Sequence, residues 1–164
     1  MIYSRLMDGT AAAETLAVVR AAAGASTPPE AAARYDNIAL HAIIFDGDDH
    51  PVAAGSLAPV ALVAPPGGNV AAIAQATPSK DGQVLLYGLC AVACSNDPAL
   101  AENAADMALR LLLDAARRSG RTGIAVSCPA DDTARYAPFG FAPQWDGMLF
   151  ADMGALRFPR ACQG

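Results

Sequence analysis

Residues 136–141 read Tyr136-Ala137-Pro138-Phe139-Gly140-Phe141, and the chain reaches them through Cys128-Pro129-Ala130-Asp131-Asp132. Just upstream, Thr122 to Cys128 is an apolar run entered by Arg121 and stopped by Pro129, which reads as a strand. Asp131-Asp132-Thr133 supplies capping residues for a short helix through Tyr136. Downstream, Trp145 and the run from Met148 to Met153 read as two final short strands.

Moving outward, Asp97 followed by Pro98 is an N-cap with proline in the first turn, and the segment to Gly120 reads as one long helix; Asn103 with Asp106 is a second start signal. Glu102, Asp106, Arg110, Asp114 and Arg118 recur at every fourth position, with acid-before-base pairs at Asp106/Arg110 and Asp114/Arg118, so this stripe reads as a solvated exterior. Met107, Ala108, Leu111, Leu112 and Ala115 supply the expected apolar face. Before the helix, Gln83 to Val92 has no polar face and reads as a buried strand. A strand, a long helix and a strand at this spacing imply a right-handed parallel crossover.

In the N-terminal half, Thr10 to Ala23 carries Leu16, Val19 and Ala23 at helical spacing and ends at Gly24. Ser26-Thr27-Pro28-Pro29-Glu30 opens a second short helix through about Tyr35. Asn37 to Phe45 reads as a strand, Asp46 to Asp49 as a tight turn, and Val52 to Val63 as the antiparallel partner, with Gly55 and Pro59 marking a bulge or an edge. Two turn clusters, Pro65 to Asn69 and Thr77 to Gly82, bracket Val70 to Ala76, which reads as an irregular insertion.

The 164 residues fit one domain, since domains run about 100 to 200 residues. Hydrophobic residues make up 54% and charged residues 16%, so the core is expected to be close-packed and built largely from alanine and valine. A net charge of −5 offers no positive field for nucleic acid or an anionic membrane. No run approaches the roughly 18 to 20 apolar residues of a spanning helix, and Met1 to Asp8 does not resemble a secretory signal. A cytoplasmic location is the expectation. Cys90, Cys94, Cys128 and Cys162 match neither a zinc spacing nor a disulfide framework and read as reduced thiols. No metal site is expected, because the acidic residues around Gly47 lack calcium-loop spacing and belong to the hairpin turn.

The element order, together with Tyr136-Ala137-Pro138-Phe139-Gly140-Phe141, resembles the GNAT acyltransferases over nearly the whole chain. The resemblance implies one α/β domain over residues 1–164. Its sheet would be mixed, mostly antiparallel and twisted, with about six to seven strands, helices on both faces and a β-α-β crossover in the C-terminal half. It implies an N-acetyltransferase that moves an acetyl or related acyl group from coenzyme A to a primary amine, on a small molecule or a peptide, by direct attack. Tyr136 matches the tyrosine that in this family often protonates the departing thiolate. The backbone of Ala91, Val92 and Ala93 matches the strand that polarises the thioester carbonyl. Asn103, Ala104 and Ala105 fall in the stretch equivalent to the family's pyrophosphate loop, and Tyr87 beside Gly88 is a candidate for lining the site.

That equivalent stretch, Asp97 to Ala105, holds no glycine and no basic residue, and Pro98 removes one N–H donor. A second reading is therefore kept: a GNAT-like binding or assembly module without acetyl-CoA affinity, acting through strand edges in a homodimer. The strand from Leu86 to Val92 contains no carboxylate or histidine that would serve as general base. His41 and His50 each read as an ordinary structural or solvated histidine rather than a catalytic one. The ordinary role for Tyr136 itself would be an amphipathic tyrosine capping the core.

Overall fold

Alternation along two neighbouring strands organises the molecule: Ala42 and Ile44 of one and Ala53 of the next go to one face of the sheet, Ile43, Phe45 and Ala54 to the other. The computed structural model describes residues 1–22, 38–63, 71–74, 86–93, 97–119, 123–127, 133–145 and 148–159. In order, the chain forms β1 (Tyr3–Asp8), a 3-10 turn, α1 (Ala13–Ala22), β2 (Leu40–Phe45), β3 (Pro51–Val63), β4 (Ala71–Ala74) and β5 (Leu86–Ala93). There follow α2 (Pro98–Arg118), β6 (Gly123–Ser127), α3 (Thr133–Tyr136) with a 3-10 turn (Ala137–Phe139), β7 (Ala142–Trp145) and β8 (Met148–Asp152). The helix expected through Tyr35 lies outside the described residues.

The strands join in the order β1-β2-β3-β5-β6-β8-β7, with β4 paired to β3. Every pairing is antiparallel except β5 with β6, so the crossover through α2 is the parallel one expected. The sheet has eight strands among the described residues, not six or seven. One addition is β1, whose exposed and mostly polar residues carry no strand pattern and which forms by pairing with β2 from Tyr3↔Phe45 to Asp8↔Leu40. The other is β4, inside the segment expected to be irregular, which pairs with the far end of β3 from Val60↔Ala74 to Val63↔Ala71.

The expected irregularity at Gly55 is also corrected. Gly55 sits in regular register with Ala42 and Ala91, and the register shift falls at Ile44/Phe45 instead. Pro59 lies where pairing to β2 has ended at Leu57 and pairing to β4 has not begun, so its missing N–H costs no ladder partner on that edge.

Helices cover both faces. α1 buries Leu16 and Val19 against Ile43, Phe45 and Ala54. On the opposite face α2 buries Ala104, Ala105, Ala108, Leu109, Leu112, Leu113 and Ala116. This stripe is rotated from the one expected: Met107, Leu111 and Ala115 are only half-buried. Four alanines and three leucines make up this buried face, in keeping with a core built largely from small side chains. The expected ion pairs form, Arg110–Asp106 at 2.7 Å and Arg118–Asp114 at 2.8 Å, but the stripe is not the solvated exterior expected: Asp106, Arg110 and Asp114 are half-buried, and Arg110 also bonds the Pro159 carbonyl.

Candidate functional site

β5 and β6 run parallel from Leu86↔Gly123 to Leu89↔Val126, and among the described residues their ladder stops there. Beyond it β5 continues, held on its other edge by β3, with Cys90↔Ser56, Ala91↔Gly55, Val92↔Ala54 and Ala93↔Ala53. β6 ends at Ser127, which pairs with Met148 of β8. Among the described residues the two parallel strands thus share no ladder beyond Leu89↔Val126, and each is followed in sequence by a helix: β5 by α2, β6 by α3. An opening at the carboxyl ends of parallel strands is where open α/β sheets bind ligands.

Ala91, Val92 and Ala93 lie on the part of β5 that, among the described residues, pairs with β3 and not with β6. Tyr87 pairs with Pro59 and Ile124 inside the ladder, before the strands separate.

Tyr136 ends α3, the helix that follows β6 in sequence. It is buried, 3% exposed, and meets Phe141 edge to face with ring centroids 5.7 Å apart. Phe139 and Phe141 are buried beside it in the cluster that α2 covers. Gly140 caps the intervening 3-10 turn at φ 99°, donating its N–H to the Ala137 carbonyl. The Tyr-x-x-x-Gly-Phe pattern is thus a tight reversal that drives three aromatic rings into the core, with glycine at the left-handed position.

The start of α2 departs from a ready phosphate site. Asp97 is its N-cap, and its Oδ1 accepts the N–H of Ala99 at 3.0 Å and of Leu100 at 3.4 Å. Pro98 has no N–H to offer. The donors that would receive an anion are therefore taken by the chain's own carboxylate. Asn103, Ala104 and Ala105 stand in the second turn of the helix, where N–H groups bond carbonyls four residues back. Ala104 and Ala105 are fully buried against the sheet and Asn103 is exposed, so the structure does not bring these three to the helix terminus.

One contact joins the two helices that flank the opening. Arg135 of α3, next to Tyr136, donates from Nη2 to Oε2 of Glu102 on α2 at 3.1 Å. Sequence reasoning placed Glu102 in the solvated stripe and passed over Arg135. The signal was an arginine adjoining the motif tyrosine, but nothing local said which acid it meets.

His41 and Ser56 are both buried, with Nδ1 and Oγ 2.6 Å apart, which fits the structural reading of His41. His50 is in the exposed turn beside Asp46. Asp46, Asp48 and His50 bring ligand atoms within 4.8 Å of one another, but Asp46 Oδ1 already accepts the N–H groups of Asp48 and His50, as a turn requires. The tail packs on its own chain: Arg157 N–H bonds the Phe139 carbonyl, and Arg117 lies over the Phe158 ring. Cys94, Cys128 and Cys162 fall outside the described residues. No helix among the described residues is long and apolar enough to cross a membrane.

No protein-family model matches the chain, and no curated protein matches it. Solved structures do. FeeM, an N-acyl amino acid synthase from uncultured soil microbes, superposes with a TM-score of 0.64 at 11% identity over 94% of this chain and 91% of its own. YhbS, a GNAT family N-acetyltransferase from Escherichia coli in complex with CoA, gives 0.58 at 14% identity over 93% of this chain and 81% of its own. A GNAT family acetyltransferase from Brucella melitensis in complex with acetyl-CoA gives 0.57 at 15% identity over 100% of this chain and 93% of its own. At such identities the likeness is one of fold.

Proposed function

From the premise that this chain has the GNAT fold, we propose that it is an acyl-CoA-dependent N-acyltransferase whose acceptor is a primary amine on a small molecule or peptide. The observation that carries the reading is the parting of β5 from β6 after Leu89↔Val126, within a fold shared with proteins that bind CoA and acetyl-CoA. Fold alone does not settle function; the stretch of β5 that, among the described residues, pairs with β3 and not with β6 offers backbone groups beside which a thioester can lie.

In this reading the thioester enters between the strands. Backbone groups along Ala91 to Ala93 orient its carbonyl and stabilise the charge that develops on oxygen. The amine lone pair attacks the carbonyl carbon and the tetrahedral adduct collapses with cleavage of the C–S bond. The Tyr136 hydroxyl gives its proton to the departing thiolate, and the proton lost by the amine returns to the phenolate through water. A buried Tyr136 suits a sulfur delivered into the opening, since it is shielded from bulk solvent. Tyr87, earlier on the same strand as Ala91, is assigned to the lining of the site from its place beside Gly88. The altered start of α2 predicts weak donor affinity, because Asp97 adds negative charge where a diphosphate would bind.

Titration with acetyl-CoA by calorimetry at modest salt, followed by a turnover assay with a panel of amines, tests the proposal. Binding plus acyl transfer, with Tyr136→Phe lowering kcat but not donor affinity, is the expected result. No heat and no turnover at millimolar donor would overturn it and leave a GNAT-fold module that works without the donor.

A further inference from the structure

We infer that Arg135 is the residue that recognises the phosphate of the acyl donor, and that Glu102 occupies it until the phosphate displaces the carboxylate. The inference rests on the acyl-transfer reading and names where this chain meets the donor's charge.

A phosphate at this mouth needs cationic or N–H donors, and the start of α2 supplies neither. Its first available N–H groups are held by Asp97, and Pro98 has none. Arg110 is committed to Asp106 and to the Pro159 carbonyl and lies over the Phe139 ring. Arg117 and Arg118 pair with Asp114 at the far end of the helix. Arg135 differs in place and in partner. It stands beside Tyr136 on the helix that follows β6, and it reaches across to the helix that follows β5. Among the described residues its guanidinium makes one contact with a carboxylate oxygen, whereas its planar fork is shaped for two parallel bonds to a phosphate.

Exposure sets the direction of exchange. The Arg135 side chain is 24% exposed and that of Glu102 is 67% exposed. The arginine is the more buried partner and the acid the more exposed, so the acid is the one with room to swing into water. Exposed pairs of this kind contribute little to stability, and a multiply charged phosphate outcompetes a single carboxylate for the same fork.

Three probes separate the phosphate from the rest of the donor: coenzyme A, inorganic pyrophosphate and pantetheine, which carries no phosphate. Each is titrated against wild type, Glu102→Gln and Arg135→Gln, with thermal melts to confirm folding. Glu102→Gln is expected to bind coenzyme A and pyrophosphate about threefold to fivefold more tightly, the range of one released surface pair. Arg135→Gln weakens both, and neither variant changes pantetheine binding. Equal shifts for pantetheine, or no shift for coenzyme A in either variant, would overturn the assignment of Arg135. These are binding measurements, so they are independent of turnover. A tighter Glu102→Gln complex in a protein without acyl transfer keeps this inference and removes the enzymatic one, while turnover with unmoved affinities does the reverse.

Discussion

Gly140 and Ala155 approach so closely that a side chain on the glycine has no room: a Cβ built there would lie 2.2 Å from the Ala155 carbonyl oxygen. The same residue holds φ at 99°, a conformation that side chains disfavour. Two independent demands meet at one position in the reversal that carries Tyr136, Phe139 and Phe141 into the core. Gly140→Ala is expected to destabilise the fold by about 2–3 kcal/mol, from left-handed strain and overpacking together. Urea unfolding measures this, and a loss below about 0.5 kcal/mol would show that the turn relaxes without cost.

Asp97 couples the stability of α2 to the charge at the mouth of the site. Asp97→Ala removes the bonds to Ala99 and Leu100 and is expected to cost about 1 kcal/mol. Asp97→Asn keeps a comparable cap without the charge, so its melting temperature should stay near that of wild type while acetyl-CoA binding tightens. Equal donor affinity in Asp97→Asn and wild type would show that this carboxylate does not oppose the donor.

The buried His41–Ser56 pair makes a prediction about cooperativity. Ser56→Ala strips the Nδ1 of a fully buried ring of this partner and is expected to cost about 1–3 kcal/mol. A double-mutant cycle with His41→Phe should return a coupling energy of at least about 0.5 kcal/mol, since the two residues share one bond. Additive losses would mean that the short contact contributes nothing net.

Asp46 shapes the acid limb of the stability curve. Its carboxyl is held below the ordinary 3.8, first by the N–H of His50, with the Asp48 N–H and the His50 charge adding to this against the opposing effect of desolvation. A carboxyl lowered in the folded state stabilises fully above its unfolded value, and that contribution is lost as pH falls through the folded one. Urea midpoints of wild type and Asp46→Ala should therefore differ at about pH 6 and converge below about pH 3.8. A gap that persists in stronger acid would assign the effect to something other than this carboxylate.

Several elements are legible in the amino-acid sequence alone. Asp97 with Pro98 marks the start of α2, every-fourth spacing marks its polar face, and the aspartates at 46–49 mark the first hairpin. These signals are local: a cap, a helical repeat and a turn each depend on residues within a few positions of one another. The Tyr-x-x-x-Gly-Phe element is equally readable, because one glycine conformation and three aromatic side chains lie within six residues.

What tertiary structure alone decided depends on residues far apart in sequence. β1 and β4 lack a strand pattern of their own and exist through β2 and β3. The stripe of α2 that is buried was set by which strands lie beneath it, since an alanine-rich helix has several faces apolar enough to serve. β5 keeps its β3 partner from Leu86 to Ala93 while its described ladder with β6 stops at Leu89↔Val126, a difference set by register between strands distant in sequence. Glu102 and Arg135, 33 positions apart, meet only because the two parallel strands deliver their helices to the same mouth. Sequence by itself determined the order of elements and their caps; the geometry of the site came from long-range pairing, which no local pattern encodes.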